Sequence, residues 1–139
     1  MAMADAEVTW ETLRVHRDAR GAVYEPLEER KLGGQRNLHV VINRPGAVRG
    51  NHFHREATEY ISVSGPARVC YTSGQETATV LVDAEVVVRF RFPPGVAHAI
   101  ENTGDADQVL VALSDRPHDP QAPDTVPHTL IDNTSGEMK

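Results

Sequence analysis

One cysteine in 139 residues, Cys70, excludes a disulfide framework within the chain. No apolar run approaches the roughly 20 residues that a membrane-spanning helix needs, so no membrane partner is expected. The opening stretch MAMADAEVTWETLRV has no basic segment followed by an apolar one. A secretory leader is therefore not expected there, and the cytoplasm is the expected compartment. A basic excess is missing too. Net charge is −6, and Lys and Arg form no block. A surface built to neutralise nucleic-acid phosphates carries the opposite balance, so nucleic acid is not an expected partner. Helical periodicity is scarce. The best window, YEPLEERKL (24–32), is short and contains a proline. There is no internal repeat, no low-complexity tract and no GxGxxG dinucleotide signature.

What the chain does have is a rhythm of short β-prone runs cut by turn residues. VTWETLRV (8–15) is followed by a polar break at HRDARG, and LHVVIN (38–43) ends at RPG. EYISVS (59–64), ARVCYT (67–72), TATVLV (77–82), EVVVRFRF (85–92), VAHAIEN (96–102) and QVLVALS (108–114) follow, separated by GP, SGQ, DA, PPG and TGDAD. The remaining tail is rich in Pro, Asp and Thr, with one candidate strand at HTLI (128–131). Eight or so strands at this spacing predict an all-β sandwich or barrel in a single domain.

Histidine is the over-supplied residue, with seven copies. On a strand, residues i and i+2 share a face, so His52 and His54 in GNHFHREATEY project together. Glu59 opens the next strand on the face of Ile61 and Val63, which reads as the interior. His98 follows the Pro93-Pro94-Gly95 turn and shares its face with Ile100. Three imidazoles and a carboxylate suit a divalent first-row ion. Zinc is the first expectation, with iron, manganese or nickel as alternatives. His16, His39, His118 and His128 read as surface or loop histidines.

These residues resemble the cupin superfamily. In its first motif, Gly46 is followed by five residues, then His52-Phe53-His54, four residues and Glu59. Gly65 stands one residue early, which reads as a shortened hairpin. The competing register would put Thr58 at the ligand position. In the second motif Pro93, Gly95, His98 and Asn102 match in spacing, while Val87 replaces the opening glycine. RPGAVRGNHFH, FPPGVAHAIENTGDAD and HDPQAPDT are further similar to the C-terminal metal-binding cupin domain of bacterial capsular-polysaccharide UDP-sugar epimerase/reductase proteins. RDARGAVYEPLE (17–28) resembles the entry segment of sugar-nucleotide cupins. The resemblance implies a double-stranded β-helix, the jelly-roll barrel. It covers about residues 17–126, with 1–7 and 132–139 as flexible ends. It also implies metal-dependent epimerisation or isomerisation of a keto-sugar nucleotide, a UDP- or dTDP-sugar. Reduction would fall to a separate protein.

Such chemistry needs a base beside a polarised ketone. The sequence leaves Tyr71, Tyr60 and His39 open for that role. Arg44, Arg49 and Arg68 are candidates for a diphosphate, with Arg89 and Arg91 behind them. Cys70 and Trp10 read as packing residues. Two other classes stay open: an iron-dependent dioxygenase and a non-catalytic sugar- or small-molecule-binding domain. The N-terminal strand and the exposed-looking strand faces predict a homodimer.

Overall fold

The computed structural model describes residues 7–132. The ends expected to be flexible fall outside these residues, apart from Glu7 and Asp132. The chain opens with β1 (Thr9–Thr12), β2 (His16–Asp18) and β3 (Gly21–Val23), then one helical turn, α1 (Glu29–Leu32). β4 (Asn37–Asn43), β5 (Val48–His54), β6 (Glu59–Ser64) and β7 (Ala67–Ser73) follow. β8 (Glu76–Val82), β9 (Val87–Phe92), β10 (His98–Asn102), β11 (Gln108–Ser114) and β12 (Thr125–Pro127) complete the order.

Two five-stranded antiparallel sheets face each other, in the orders β1-β9-β6-β11-β4 and β12-β5-β10-β7-β8. This is the all-β barrel that the strand rhythm predicts, in the double-stranded β-helix form that the cupin resemblance implies. From β4 to β12 consecutive strands alternate between the sheets, except for the β7–β8 hairpin, so each sheet is stitched largely from distant parts of the chain. Inward residues of both sheets build the core: Ile61, Val63, Phe90, Phe92 and Leu110 from one, Val69 and Ile100 from the other. Phe90 and Phe92 are fully buried and stacked, with ring centroids 5.6 Å apart. Each such side chain stabilises the fold by roughly 1.5–3 kcal/mol through burial.

The barrel ends differ in chemistry. At one end Asn102 Nδ2 donates to Asn43 O and Ala106 O, and Asn43 Nδ2 donates to Gln108 Oε1. Gln108 Nε2 donates to Ser64 O at 2.7 Å. These amides are buried and tie four strands or their ends together, which gives the motif residue Asn102 a structural role. The histidines sit at the other end.

Some local expectations need correction. The break at HRDARG is a hairpin of β2 and β3; every residue in both strands is exposed, so no apolar alternation marks it. The helix is confined to Glu29–Leu32, because Pro26 and the extended Glu28 (ψ 151°) hold back its start. The tail strand is Thr125–Pro127, not 128–131. His128 N instead bonds to Asn51 O, and Leu130 N and Ile131 N bond to the Asn51 side chain. Among the described residues, no helix is long and apolar enough to cross a membrane.

Candidate metal centre

β5 carries His52 and His54 to the same end of the barrel. A register shift lets it do so. Gly50 and Asn51 have positive φ, 95° and 58°, and the β5–β10 pairing shifts between His98 and Ala99. Beyond the shift His98 stands opposite His52, and on its other side opposite Tyr71. Gly50 allows this closeness. A Cβ there would lie 2.6 Å from the His98 carbonyl oxygen. Glu59 is the first residue of β6, directly after the loop that leaves His54.

The donor atoms of His52, His54, Glu59 and His98 all lie within 4.8 Å of one another. His54 Nε2 is 3.2 Å from Glu59 Oε1, and His98 Nε2 is 3.4 Å from the same oxygen. Glu59 and His98 are buried, 4% and 1% exposed. The parity that groups Glu59 with Ile61 and Val63 is the one found. Thr58 instead sits in the loop, its backbone N–H bound to Asp115.

The donor chemistry fits a cation. His98 Nδ1 lies 3.1 Å from Val96 O and donates to it. In the neutral ring Nε2 then presents a lone pair to the cluster. That nitrogen is fully buried and has no hydrogen-bond partner, an arrangement that ordinarily costs free energy. A metal ion would satisfy it. The four groups thus form a cluster able to hold a metal ion, and no other such group occurs among the described residues.

Electrostatics sort the histidines. Burial, together with the nearby His98 and His54, pushes His52 down to about 4. The hydrogen bond to Glu59 raises His54 above its ordinary value, against its burial. Burial alone would raise Glu59. The neighbouring His54 and His98 outweigh it and hold the carboxyl well below the usual carboxylate range. Without a metal, Glu59 is therefore ionised, and its hydrogen bond favours a proton on His54.

The candidate bases part company. His39 lines a cavity of about 90 Å³ together with His54 and Glu59. Tyr71 is buried against Trp10 and Phe92, at centroid distances of 6.2 and 6.3 Å. Tyr60 lies on the opposite face of β6, with Lys31 and Arg89 over its ring. The arginines are also separated. Arg68 is bound to Glu101 at 2.9 Å, and Arg89 is bound to Glu11 at 2.7 Å. Arg49 reaches Ile42 O at 3.5 Å, while Arg44 is exposed in the turn after β4. Arg91 contacts Glu7 O. Cys70 and Trp10 pack as expected, Cys70 fully buried and Trp10 against Phe90, although Trp10 keeps 46% exposure.

Sequence reasoning missed Arg116, His118 and Asp124, which line the same cavity as His39. None lies in a periodic run. His118 and Asp124 do fall in HDPQAPDT, a stretch picked out only by resemblance. His39 and His118 are exposed, as the surface reading has it, and both line this cavity.

Solved structures share this barrel. A capsular polysaccharide assembling protein, CapF from Staphylococcus aureus, aligns at 29% identity and a TM-score of 0.64. The alignment covers 85% of this chain and 33% of that one, so this chain spans about a third of that protein's length. ChmJ, a 3'-monoepimerase from Streptomyces bikiniensis solved with dTDP-quinovose, has 19% identity and a TM-score of 0.66, covering 82% and 66%. The 3,4-ketoisomerase QdtA from Thermoanaerobacterium thermosaccharolyticum, solved with TDP, has 18% identity and a TM-score of 0.65, covering 86% of both chains. The last two likenesses establish the fold alone. No curated protein matches the chain. The model of the polysaccharide biosynthesis C-terminal domain family matches residues 16–126, and with the barrel and motifs it establishes that the chain belongs to that family, within the cupin superfamily.

Proposed function

We propose that this chain is a metal-dependent epimerase or isomerase of a keto-sugar nucleotide, acting in the cytoplasm beside a separate reductase. The observation that carries the reading is the convergence of His52, His54, Glu59 and His98 around the unpartnered His98 Nε2. Those four residues would hold one divalent ion, zinc first. Bound there, the ion supplies Lewis acidity to a keto oxygen. The relatives with sugar-nucleotide chemistry support the substrate class.

The chain's own residues divide the remaining work. His39 Nδ1 lies 3.1 Å from Asn37 Oδ1. An amide oxygen only accepts, so the hydrogen sits on Nδ1 and Nε2 is free to take a proton. We assign His39 as the base that removes the proton beside the ketone; a solvent-derived proton added to the opposite face of the enolate inverts that carbon, and His39 returns its proton to solvent. Arg116 is the guanidinium lining that cavity, and we assign it to the diphosphate. Incubating metal-loaded protein with dTDP-4-keto-6-deoxyglucose, or a UDP-linked keto-sugar, in D2O tests the reading. Deuterium should enter the carbon beside the ketone. A sugar that binds and takes up none would make this a binding domain.

We also propose a homodimer. Leu38, Val40 and Ile42 on the edge strand β4 are 62%, 59% and 51% exposed. They lie opposite Leu113, Val111 and Val109 of β11 and extend one apolar face. A contiguous exposed apolar face on an edge strand is the kind of surface that a soluble protein uses for association. Light scattering should give twice the chain mass, and Val40→Glu should halve it.

A further inference from the structure

The segment after β11 does more than finish the chain. Asp124, just before β12, sends its carboxylate into the loop between His54 and Glu59. Glu56 N donates to Oδ1 and Oδ2 at 3.0 and 3.2 Å, and Ala57 N donates to Oδ2 at 3.0 Å. Arg55 N donates to the Asp124 carbonyl at 2.9 Å. Three consecutive amides of that loop are thereby fixed by one residue. β12 then pairs with β5, with Thr125 opposite His54. Further on, 128–131 closes around Asn51, just before His52. Both ends of the His52–Glu59 stretch are therefore tied to the tail.

The same carboxylate also faces a ligand. Asp124 Oδ2 lies 3.8 Å from His54 Nδ1, while Glu59 Oε1 lies 3.2 Å from Nε2 of the same ring. The imidazole is bracketed by one carboxylate on each nitrogen. A histidine that gives Nε2 to a metal must keep its hydrogen on Nδ1. Such a hydrogen ordinarily goes to a carboxylate or a carbonyl, which fixes ring and tautomer. His98 uses the Val96 carbonyl for this. For His54, Asp124 is the carboxylate in place.

We propose that Asp124 is the positioning residue of the metal centre, anchoring loop 55–57 and holding His54 with its hydrogen on Nδ1. The inference rests on the metal reading above. Both carboxylate oxygens are engaged, so an amide cannot replace them. Asn at 124 puts its NH2 group either in the place of Oδ1, against Glu56 N–H, or in the place of Oδ2, against the N–H groups of Glu56 and Ala57 and His54 Nδ1–H; each sets a donor against a donor.

The test is a zinc titration of untagged wild-type, Asp124→Asn and Asp124→Ala proteins against a chromophoric chelator. It is paired with 15N NMR of the histidine rings in the zinc-loaded state. Asp124→Asn keeps the volume and the strand, so it guards against an Asp124→Ala chain that does not fold. Wild type should show His54 with hydrogen on Nδ1, and both variants should bind zinc about 10–100-fold more weakly. A folded Asp124→Asn protein with wild-type zinc affinity and an unchanged His54 ring signal would overturn the proposal alone. A lower melting temperature with unchanged zinc affinity would also overturn it, leaving Asp124 a purely structural anchor. Wild-type protein that takes up no zinc would overturn the metal reading and this proposal together.

Discussion

His98 lies flat against Phe92, with ring centroids 4.3 Å apart and planes 8° from parallel. The stack, together with the Val96 carbonyl, leaves the imidazole one orientation. Phe92 is also a core residue, 1% exposed. Phe92→Ala should cost about 3–5 kcal/mol in a thermal or denaturant melt. Phe92→Leu should fold with a loss of roughly 1 kcal/mol and still bind metal several-fold more weakly, because His98 can then turn. Unchanged affinity in Phe92→Leu would assign ring orientation to Val96 alone.

Gly50→Ala addresses the register shift. Its positive φ is strained for any side chain, and the added Cβ would meet the His98 carbonyl. A destabilisation of roughly 1–3 kcal/mol is expected, with loss of metal at temperatures where the variant is still folded. Wild-type behaviour would mean that β5 and β10 can separate there without disturbing the His52–His98 pair.

Metal uptake should release protons. His54 is raised above 6.5 and His52 is depressed to about 4, so at pH 6 His54 carries a proton that the ligand form must shed, while His52 does not. Calorimetry in buffers of different ionisation enthalpy should report release of about one proton per ion from His54. A release of zero at pH 6 would contradict the His54–Glu59 pairing.

The metal-free protein should be most stable near pH 6.5. The raised His54 contributes stability that is fully present below 6.5 and fades as pH climbs through its folded value. The depressed His52 works the other way. It is neutral when folded and takes a proton when unfolded, so stability falls from 6.5 toward 4. Glu59, also depressed, adds to the loss below about 4.5. A melting temperature rising steadily from pH 6.5 to 4 would contradict this assignment.

Much of this site was legible because strand parity is a strict rule. His52 and His54 had to share a face, and Glu59 had to follow Ile61 and Val63. Parity alone did not reveal the shift at Gly50-Asn51, which depends on how β10 pairs with β5. The β2–β3 hairpin lacks a buried face, so no hydrophobic signal distinguished it from a loop. Val87 and Arg89 alternate with the inward Val88 and Phe90, yet both are buried, with Arg89 bound to Glu11 on one side and near Glu28 on the other. Asp124 was hidden for a similar reason. It acts through three backbone amides sixty-odd residues away, and amides have no sequence identity.

His39→Gln should lower deuterium exchange into a keto-sugar by about 10²–10⁴-fold while metal content stays full. Tyr60→Phe should leave exchange unchanged, since Tyr60 faces away from the cluster. A fully active His39→Gln protein would move the base elsewhere, with Tyr71, across the strand from His98, next to be tested.

The most direct test of the central claim is elemental analysis of untagged protein, wild type against His98→Ala, after equilibration with zinc and removal of loose metal. About one ion per chain is expected in wild type, with a loss of at least roughly tenfold in His98→Ala. A wild-type chain without metal, or a His98→Ala chain that retains its full complement, would contradict the account.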